Sequence, residues 1–304
     1  MVKIHSHWDA DGVTAGHFIS FHVENPEILI SDGEFGAVDK LGKGDWLVDQ
    51  HPTGDFEGTV LDHHQIDTYP MKHTYHLIAD NVPATLIAWR NFKEDIPKNE
   101  WWKCCVGVIG DGQPELIPYE VFQSCPQLLN KIKTSTRWND KTFKWNLGYF
   151  QVYKMLSSPV NSFLRIKQGQ KALELLQQAQ QPMDIITDEK AKSAKEEVKK
   201  EHNSILKSCE SVDFKDLAVV IFNSNYRMSG YMATTIQEMV GDKTVIAINK
   251  KDGHGSMRGE LALYWEGRLK HLDYVKMGGH PGFYGFQISK PADVFIEDLT
   301  ELLK

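Results

Sequence analysis

The chain has 304 residues, 41% of them hydrophobic and 25% charged, which is enough for a sizeable core and for two domains. No apolar run reaches membrane-spanning length and no basic stretch leads into an apolar one at the N-terminus, so neither a transmembrane helix nor a secretory leader is expected. The net charge of −7 argues against a protein that coats long nucleic acid, and the four cysteines (Cys104, Cys105, Cys125, Cys209), without CxxC spacing, read as the reduced thiols of a cytoplasmic protein.

The charge is unevenly placed. Residues 1–76 carry 13 acids against 4 lysines and no arginine, and they hold 9 of the 13 histidines. Histidine and carboxylate enriched together are what a multinuclear metal site requires, although an acidic surface shows the same composition.

In chain order, Val2-Lys3-Ile4-His5 alternates as a buried strand does and runs into His7-Trp8-Asp9-Ala10-Asp11-Gly12. An extended chain would put His5, His7, Asp9 and Asp11 on one side. Carboxylates so crowded repel one another, so they call for either a cation or solvent. Residues 13–22 predict a helix. Three β-like runs follow, at 27–30, 45–49 and 58–62; the second ends in Asp49 and the third in Asp62, followed by His63 and His64. Short apolar runs alternating with helical stretches predict an α/β fold with a doubly wound, mostly parallel sheet, whose ligands bind beyond the carboxyl ends of the strands.

Residues 77–103 predict helix. Residues 104–112 form an apolar run, strand or buried helix, that ends at Asp111 and is counted as a further strand tip. Between 113 and 185, Trp138, Trp145, Tyr149 and Tyr153 read as core aromatics rather than as stacking platforms. Residues 186–208, with six lysines and five acids, predict a solvated linker helix. Strands at 217–222, 244–249 and 257–265, with a helix at 231–240, make a second, smaller α/β domain. The expected division is a domain at 1–185, a linker at 186–208 and a domain at 209–304.

The sequence resembles the DHH phosphoesterases. His7-Trp8-Asp9-Ala10-Asp11-Gly12 matches the HxDxDG motif and Leu61-Asp62-His63-His64 the name-giving motif; Asp49 and Asp111 resemble the second and fourth. Near the C-terminus, Met277-Gly278-Gly279-His280-Pro281-Gly282 resembles the GGH motif of a DHHA1 substrate domain, and Ser256-Met257-Arg258 resembles its arginine-bearing strand. The resemblance implies a nuclease or phosphodiesterase with two Mn²⁺ ions, replaceable by Mg²⁺ or Co²⁺. His7, Asp9, Asp11, Asp49, His63 and Asp111 would be the ligands, with Asp49 bridging. Asp62, His63 and His64 would form the catalytic motif, and His5 is the alternative to His7. Arg258, Gly278, Gly279 and His280 would bind a substrate phosphate, with Arg227 and Ser229, on a loop, as further contacts. Taken locally, Gly278-Gly279 reads as a tight turn and Arg258, His254 and Arg268 as surface residues. The implied substrates are short single-stranded RNA or DNA cut from one end. Phosphoadenosine phosphate, cyclic dinucleotides or a non-catalytic replication scaffold are the alternatives.

Overall fold

The first strand sets the orientation of the N-terminal part: along Val2–Ser6, Ile4 and Ser6 are buried and Lys3 and His5 are not, as period-two geometry requires. The computed structural model describes residues 1–31, 41–52, 54, 56–64, 75–78, 81–137, 145–280 and 282–302, with the backbone alone at 75, 76, 78, 134–137, 145–148 and 280. Two compact units separate, Met1–Thr136 with Asn146–Glu196 and Arg137–Trp145 with Glu197–Lys304.

In the first unit the described elements begin with β1 (Val2–Ser6), α1 (Ala10–Ile19), β2 (Pro26–Ile30), β3 (Trp46–Val48), β4 (Thr59–Asp62) and β5 (Tyr75–Ile78). The strands lie in the order β2-β1-β3-β4-β5, each parallel to its neighbours. The direction of winding reverses between β1 and β3, so the connections leave their carboxyl ends in opposite directions and open a crevice there. After the sheet come α2 (Ala84–Phe92), a 3-10 turn at Lys98–Lys103, α3 (Cys104–Gly110) and α4 (Tyr119–Ser124). A two-stranded sheet of β6 (Lys131–Arg137) and β7 (Trp145–Gln151) precedes α5 (Ser157–Arg165), α6 (Gly169–Gln178), α7 (Pro182–Thr187) and α8 (Glu189–Ser208), the last of which passes into the second unit after Glu196.

Helix α1 is buried on every side, with α2, α3 and α6 packed against it. Small residues make this possible. A Cβ on Gly110 of α3 would fall 2.6 Å from the Ala10 Cβ, and one on Gly107 would collide with the Thr85 side chain. Beside α1 lies a buried charge network: Lys103 Nζ stands 2.6 Å from Glu100 Oε2, which also meets His17 Nε2 at 2.8 Å.

The second unit contains β8 (Glu210–Asp213), β9 (Leu217–Phe222), α9 (Ser229–Val240), β10 (Thr244–Asn249), β11 (His254–Arg258), α10 (Ala262–Leu269), β12 (Val275–His280), β13 (Phe283–Ile288) and α11 (Ala292–Leu302). Its sheet runs β12-β13-β11-β10-β9-β8, parallel only between β9 and β10. Those two strands are buried along their whole length, as continuous apolar parallel strands must be. On one face Ile246, Ile248, Met257, Tyr284 and Phe286 pack with Trp265 of α10 and Phe295 of α11.

Several expectations from local pattern are corrected. Residues 75–78 form a strand, not the start of a helix, because β4 offers a parallel partner, and the helix waits until after Pro83. Residues 104–110 are a helix, so Asp111 caps a helix C-terminus instead of ending a strand. The strand expected at 257–265 ends at Arg258; Gly259, at φ +135°, turns the chain, and α10 follows. Helix α8 is not solvated all round: Ala191, Ala194, Val198, His202 and Ile205 form a buried stripe at helical spacing. Tyr149 is 69% exposed and so no core residue. Tyr153 packs edge-on to Phe122 at 5.3 Å. Trp138 lies outside the described residues, as does the side chain of Trp145.

Breaking the Glu100 network should cost far more than replacing it. Glu100→Gln leaves the buried Lys103 without its counter-charge and should destabilise the protein by about 3 kcal/mol or more, whereas Glu100→Leu with Lys103→Met should be close to neutral. Urea unfolding of the three proteins checks this.

Candidate metal centre

The extended chain does not continue through the first motif. Strand β1 ends at Ser6, His7 N–H donates to Val48 C=O at 3.0 Å, and α1 begins at Ala10. Asp9 is the N-cap, its Oδ1 accepting from Gly12 N–H at 2.9 Å. Gly12 is required for this turn, since a Cβ there would lie 2.6 Å from the His7 carbonyl oxygen. Asp11 thus sits in the first helical turn, and the turn, not strand alternation, gathers the donors. His7 Nδ1 stands 3.0 Å from Asp9 Oδ2 and 3.3 Å from Asp49 Oδ2. His5 is turned instead to Asp45, 3.3 Å from its Oδ2, and joins none of the candidate ligand groups.

Asp49 follows β3 with φ +59°, a left-handed conformation that aspartate tolerates at a cost of roughly 1 kcal/mol. The twist splits its carboxylate: Oδ2 faces His7, while Oδ1 lies 3.0 Å from His63 Nε2. Asp62 closes β4 and orders its own motif, accepting from the His63 amide at 2.8 Å and the His64 ring Nδ1–H at 2.7 Å. His63 also stands 3.7 Å from Asp11 Oδ2 and 4.0 Å from Asp111 Oδ2. Three overlapping donor groups result: His7, Asp9 and Asp49; Asp49, His63 and His64; Asp11, His63 and Asp111. Asp49 links the first two and His63 the last two.

Sequence reading missed what holds Asp11. Its two oxygens accept from the amides of Ala84 and Thr85 at 2.6 and 2.9 Å, so it caps α2 as well as joining the cluster. The available signal was Pro83, an N-cap with no side-chain acceptor of its own, which leaves α2 to be capped from elsewhere. Also missed were His51, 3.9 Å from Asp62 Oδ2, and Gln113, which donates to Asp111 Oδ2 at 2.7 Å.

The electrostatics follow from burial. Burial, then the charges of Asp9 and Asp11, raise the Asp49 carboxyl well above the usual range. Burial also raises Asp11, and burial with the Asp11 charge pushes Asp111 up to about 8. Burial opposes the His7 charge, but Asp9 and Asp49 outweigh it and push this imidazole up to about 10. Burial likewise opposes charge on Asp9 and Asp62, yet His7 and His64 hold them low. Among the described residues, both oxygens of Asp49 and Oδ2 of Asp62 are buried without a well-aligned hydrogen bond. Such atoms pay a desolvation penalty that divalent cations would remove, and a mixed set of carboxylate oxygen and imidazole nitrogen suits Mn²⁺, Fe²⁺ or Co²⁺. The residues fit a two-metal centre.

In the second unit, Arg258 ends β11 and donates to the Met257 and Tyr284 carbonyls at 2.8 and 3.2 Å. Its Nε is buried without an acceptor, no carboxylate pairs with it among the described residues, and burial lowers its guanidinium to about 10. A Cβ on Gly230, in the first turn of α9, would lie 3.2 Å from Arg258 Nη2. The N-cap residue Met228 offers no side-chain acceptor to that helix end, so guanidinium and helix dipole present positive potential side by side. Ser229 is the first residue of α9, not a loop residue, and its hydroxyl donates to the His254 carbonyl at 2.9 Å. Gly278 and Gly279 lie within β12, paired with Gly285 and Tyr284, rather than in a turn. Gly279, at φ +147°, lies where a Cβ would collide with the Phe283 carbonyl. The His280 side chain lies outside the described residues.

This architecture is shared with solved structures. An exonuclease RecJ bound to manganese superposes with TM-score 0.61 at 16% identity, over 95% of this chain and 86% of that one. RecJ from Thermus thermophilus in complex with Mn²⁺ gives 0.63 at 17% identity, over 95% of this chain and 49% of that one. The same enzyme in complex with Mg²⁺ gives 0.57 at 17%, over 95% and 47%. The chain has the fold of the RecJ exonucleases. It spans about half the length of the Thermus RecJ and most of the first. The DHH resemblance read from the motifs is met by this RecJ fold. No family model and no curated protein matches the chain. Among the described residues no helix is long and apolar enough to cross a membrane.

The crowding predicts a pH-dependent stability that metal removes. Asp111 and His7 are raised in the folded state, to about 8 and about 10, so the stability tied to their protons is complete below their unfolded values and is lost as pH rises through the folded ones. The melting temperature in EDTA should therefore fall from pH 6 to pH 9. Mn²⁺ should raise it more at pH 9 than at pH 6, and equal shifts at both would contradict the assignment.

Proposed function

We propose that the chain is a metal-dependent phosphoesterase that hydrolyses short single-stranded oligonucleotides from one end. The observation that carries this reading is the split carboxylate of Asp49, shared between two donor groups at the carboxyl end of a parallel sheet. His7, Asp9, Asp11, Asp49, His63 and Asp111 hold two divalent ions, Mn²⁺ by preference, with Mg²⁺ or Co²⁺ as substitutes. When bound, such a pair polarises a phosphoryl group and makes a bound water nucleophilic near neutral pH.

The chain's own groups do the rest. Asp62 accepts the Nδ1–H of His64, which fixes that ring and leaves Nε2 to pass a proton to a departing oxygen. Asp11, locked to α2 through two amides, holds its oxygens in place before any ligand arrives. Arg258, with the Gly278-Gly279 backbone and His280, takes a phosphate of the substrate. The RecJ fold supports the reading, and the acidic balance favours short substrates over long DNA.

End-labelled RNA and DNA of graded length, cyclic dinucleotides and phosphoadenosine phosphate, each with Mn²⁺ or EDTA, form the test. Mn²⁺-dependent release of mononucleotides is expected from the shortest oligonucleotides. Preferred release from the cyclic dinucleotides or phosphoadenosine phosphate would move the substrate within the same chemistry, and release from none would overturn the enzymatic reading. Asp49→Asn, isosteric and outside any helix cap, should lower kcat/KM by at least ~100-fold while the EDTA-state melting temperature is held or raised. Retained activity in that variant would overturn the site.

A further inference from the structure

Resting on the nucleotide reading above, we propose that Phe283 is the platform on which a nucleobase of the substrate stacks, beside the phosphate held by Arg258. Strand β13 lies between β11 and β12, and Phe283 is the residue directly opposite both Arg258 on β11 and His280 on β12. Directly opposed residues of antiparallel strands share a face, so the three positions form one row across the sheet. Along β13, Tyr284, Phe286 and Ile288 are buried in the core, which leaves Phe283, Gly285 and Gln287 to the other face.

Phe283 is 59% exposed, a large apolar ring kept in solvent at the end of a strand that otherwise buries its aromatics. The Arg258 guanidinium carbon lies 5.1 Å from the ring centroid, close enough for a cation–π contact that fixes both groups. The row continues into a bare floor. Gly278 and Gly285 are paired directly, and no atom of the described residues lies within 4 Å of a Cβ built on either. Two adjacent glycines on the same open face keep side chains out of a space about one flat group wide. A guanidinium with no carboxylate partner among the described residues, a helix N-terminus beside it and an exposed ring next to that floor match a nucleoside monophosphate: anion on one side, π-face on the other. A purely apolar occupant would leave the Arg258 charge unmatched. A bare phosphate would leave the ring and the floor unused.

The test is binding to the full chain in EDTA, which separates it from hydrolysis. The probes are 5′-AMP and ribose 5-phosphate, followed by calorimetry. 5′-AMP should bind more tightly than ribose 5-phosphate. Phe283→Ala should weaken 5′-AMP about 5- to 100-fold and ribose 5-phosphate far less. Phe283→Trp should restore 5′-AMP binding, and Phe283→Leu, which keeps apolar bulk without a π-face and guards against misfolding of the alanine variant, should not. Arg258→Ala should weaken both probes. No 5′-AMP binding, or equal losses for both probes in Phe283→Ala and Phe283→Leu, would overturn the platform. Metal-dependent hydrolysis in the preceding assay would still stand, and its absence would not affect this binding result.

Discussion

Buried like charge is the constraint to which the first unit answers. Asp9, Asp11, Asp49 and Asp111 are drawn to the carboxyl edge of the sheet around His7 and His63, and burial multiplies their repulsion. Each is therefore tied down by something that has no other reason to be where it is. Asp9 caps its own helix, Asp11 caps the next one, Asp49 is twisted into a left-handed conformation, and Asp111 accepts from the Gln113 side chain. The glycines and alanines of α1 and α3 serve the same end, because only backbones this close let Asp11 reach the amides of α2. The packing of the unit and the preorganisation of its site are one arrangement.

The second unit shows the opposite imbalance. Among the described residues Arg258 has no carboxylate partner; it lies next to a helix N-terminus, with two carbonyl oxygens and an aromatic ring beside it. A lone arginine of this kind costs free energy that an apolar residue would not, unless an anion arrives from outside. The Glu100–Lys103–His17 network supplies the contrast within the same chain: there the buried lysine has its acid at hydrogen-bond distance.

How much of this was legible depended on whether the signal was local. The β1, β3 and β4 strands and the order of the ligand motifs were readable because apolar runs and their terminal acids are contiguous. Asp111 was misplaced at a strand tip, since an apolar run of seven residues has no periodicity that tells a strand from a buried helix. The strand at 75–78 and the end of β11 depend on partners distant in sequence. So does the choice between His5 and His7: both lie on one alternating segment, and only the position of Asp45 and Asp49 in three dimensions separates them. Arg258 looked like a surface residue for the same reason, its burial being the work of neighbours on β13 and α9.

That dependence also bears on which residue best reports the chemistry. The first motif invites substitution of Asp11, the most strongly marked acid of the HxDxDG pattern. Yet Asp11 holds the N-terminus of α2 through two amides, and loss of a cap costs about 1 kcal/mol even at an exposed helix end. An inactive Asp11 variant would confound a lost donor with a displaced helix. Among the described residues Asp49 makes no such hydrogen bond to a backbone group through its side chain, its oxygens stand beside the His7 and His63 rings, and its neutralisation relieves repulsion instead of creating a void. In a cluster whose members double as structural caps, the residue that is least useful to the fold is the one whose loss speaks most directly about function.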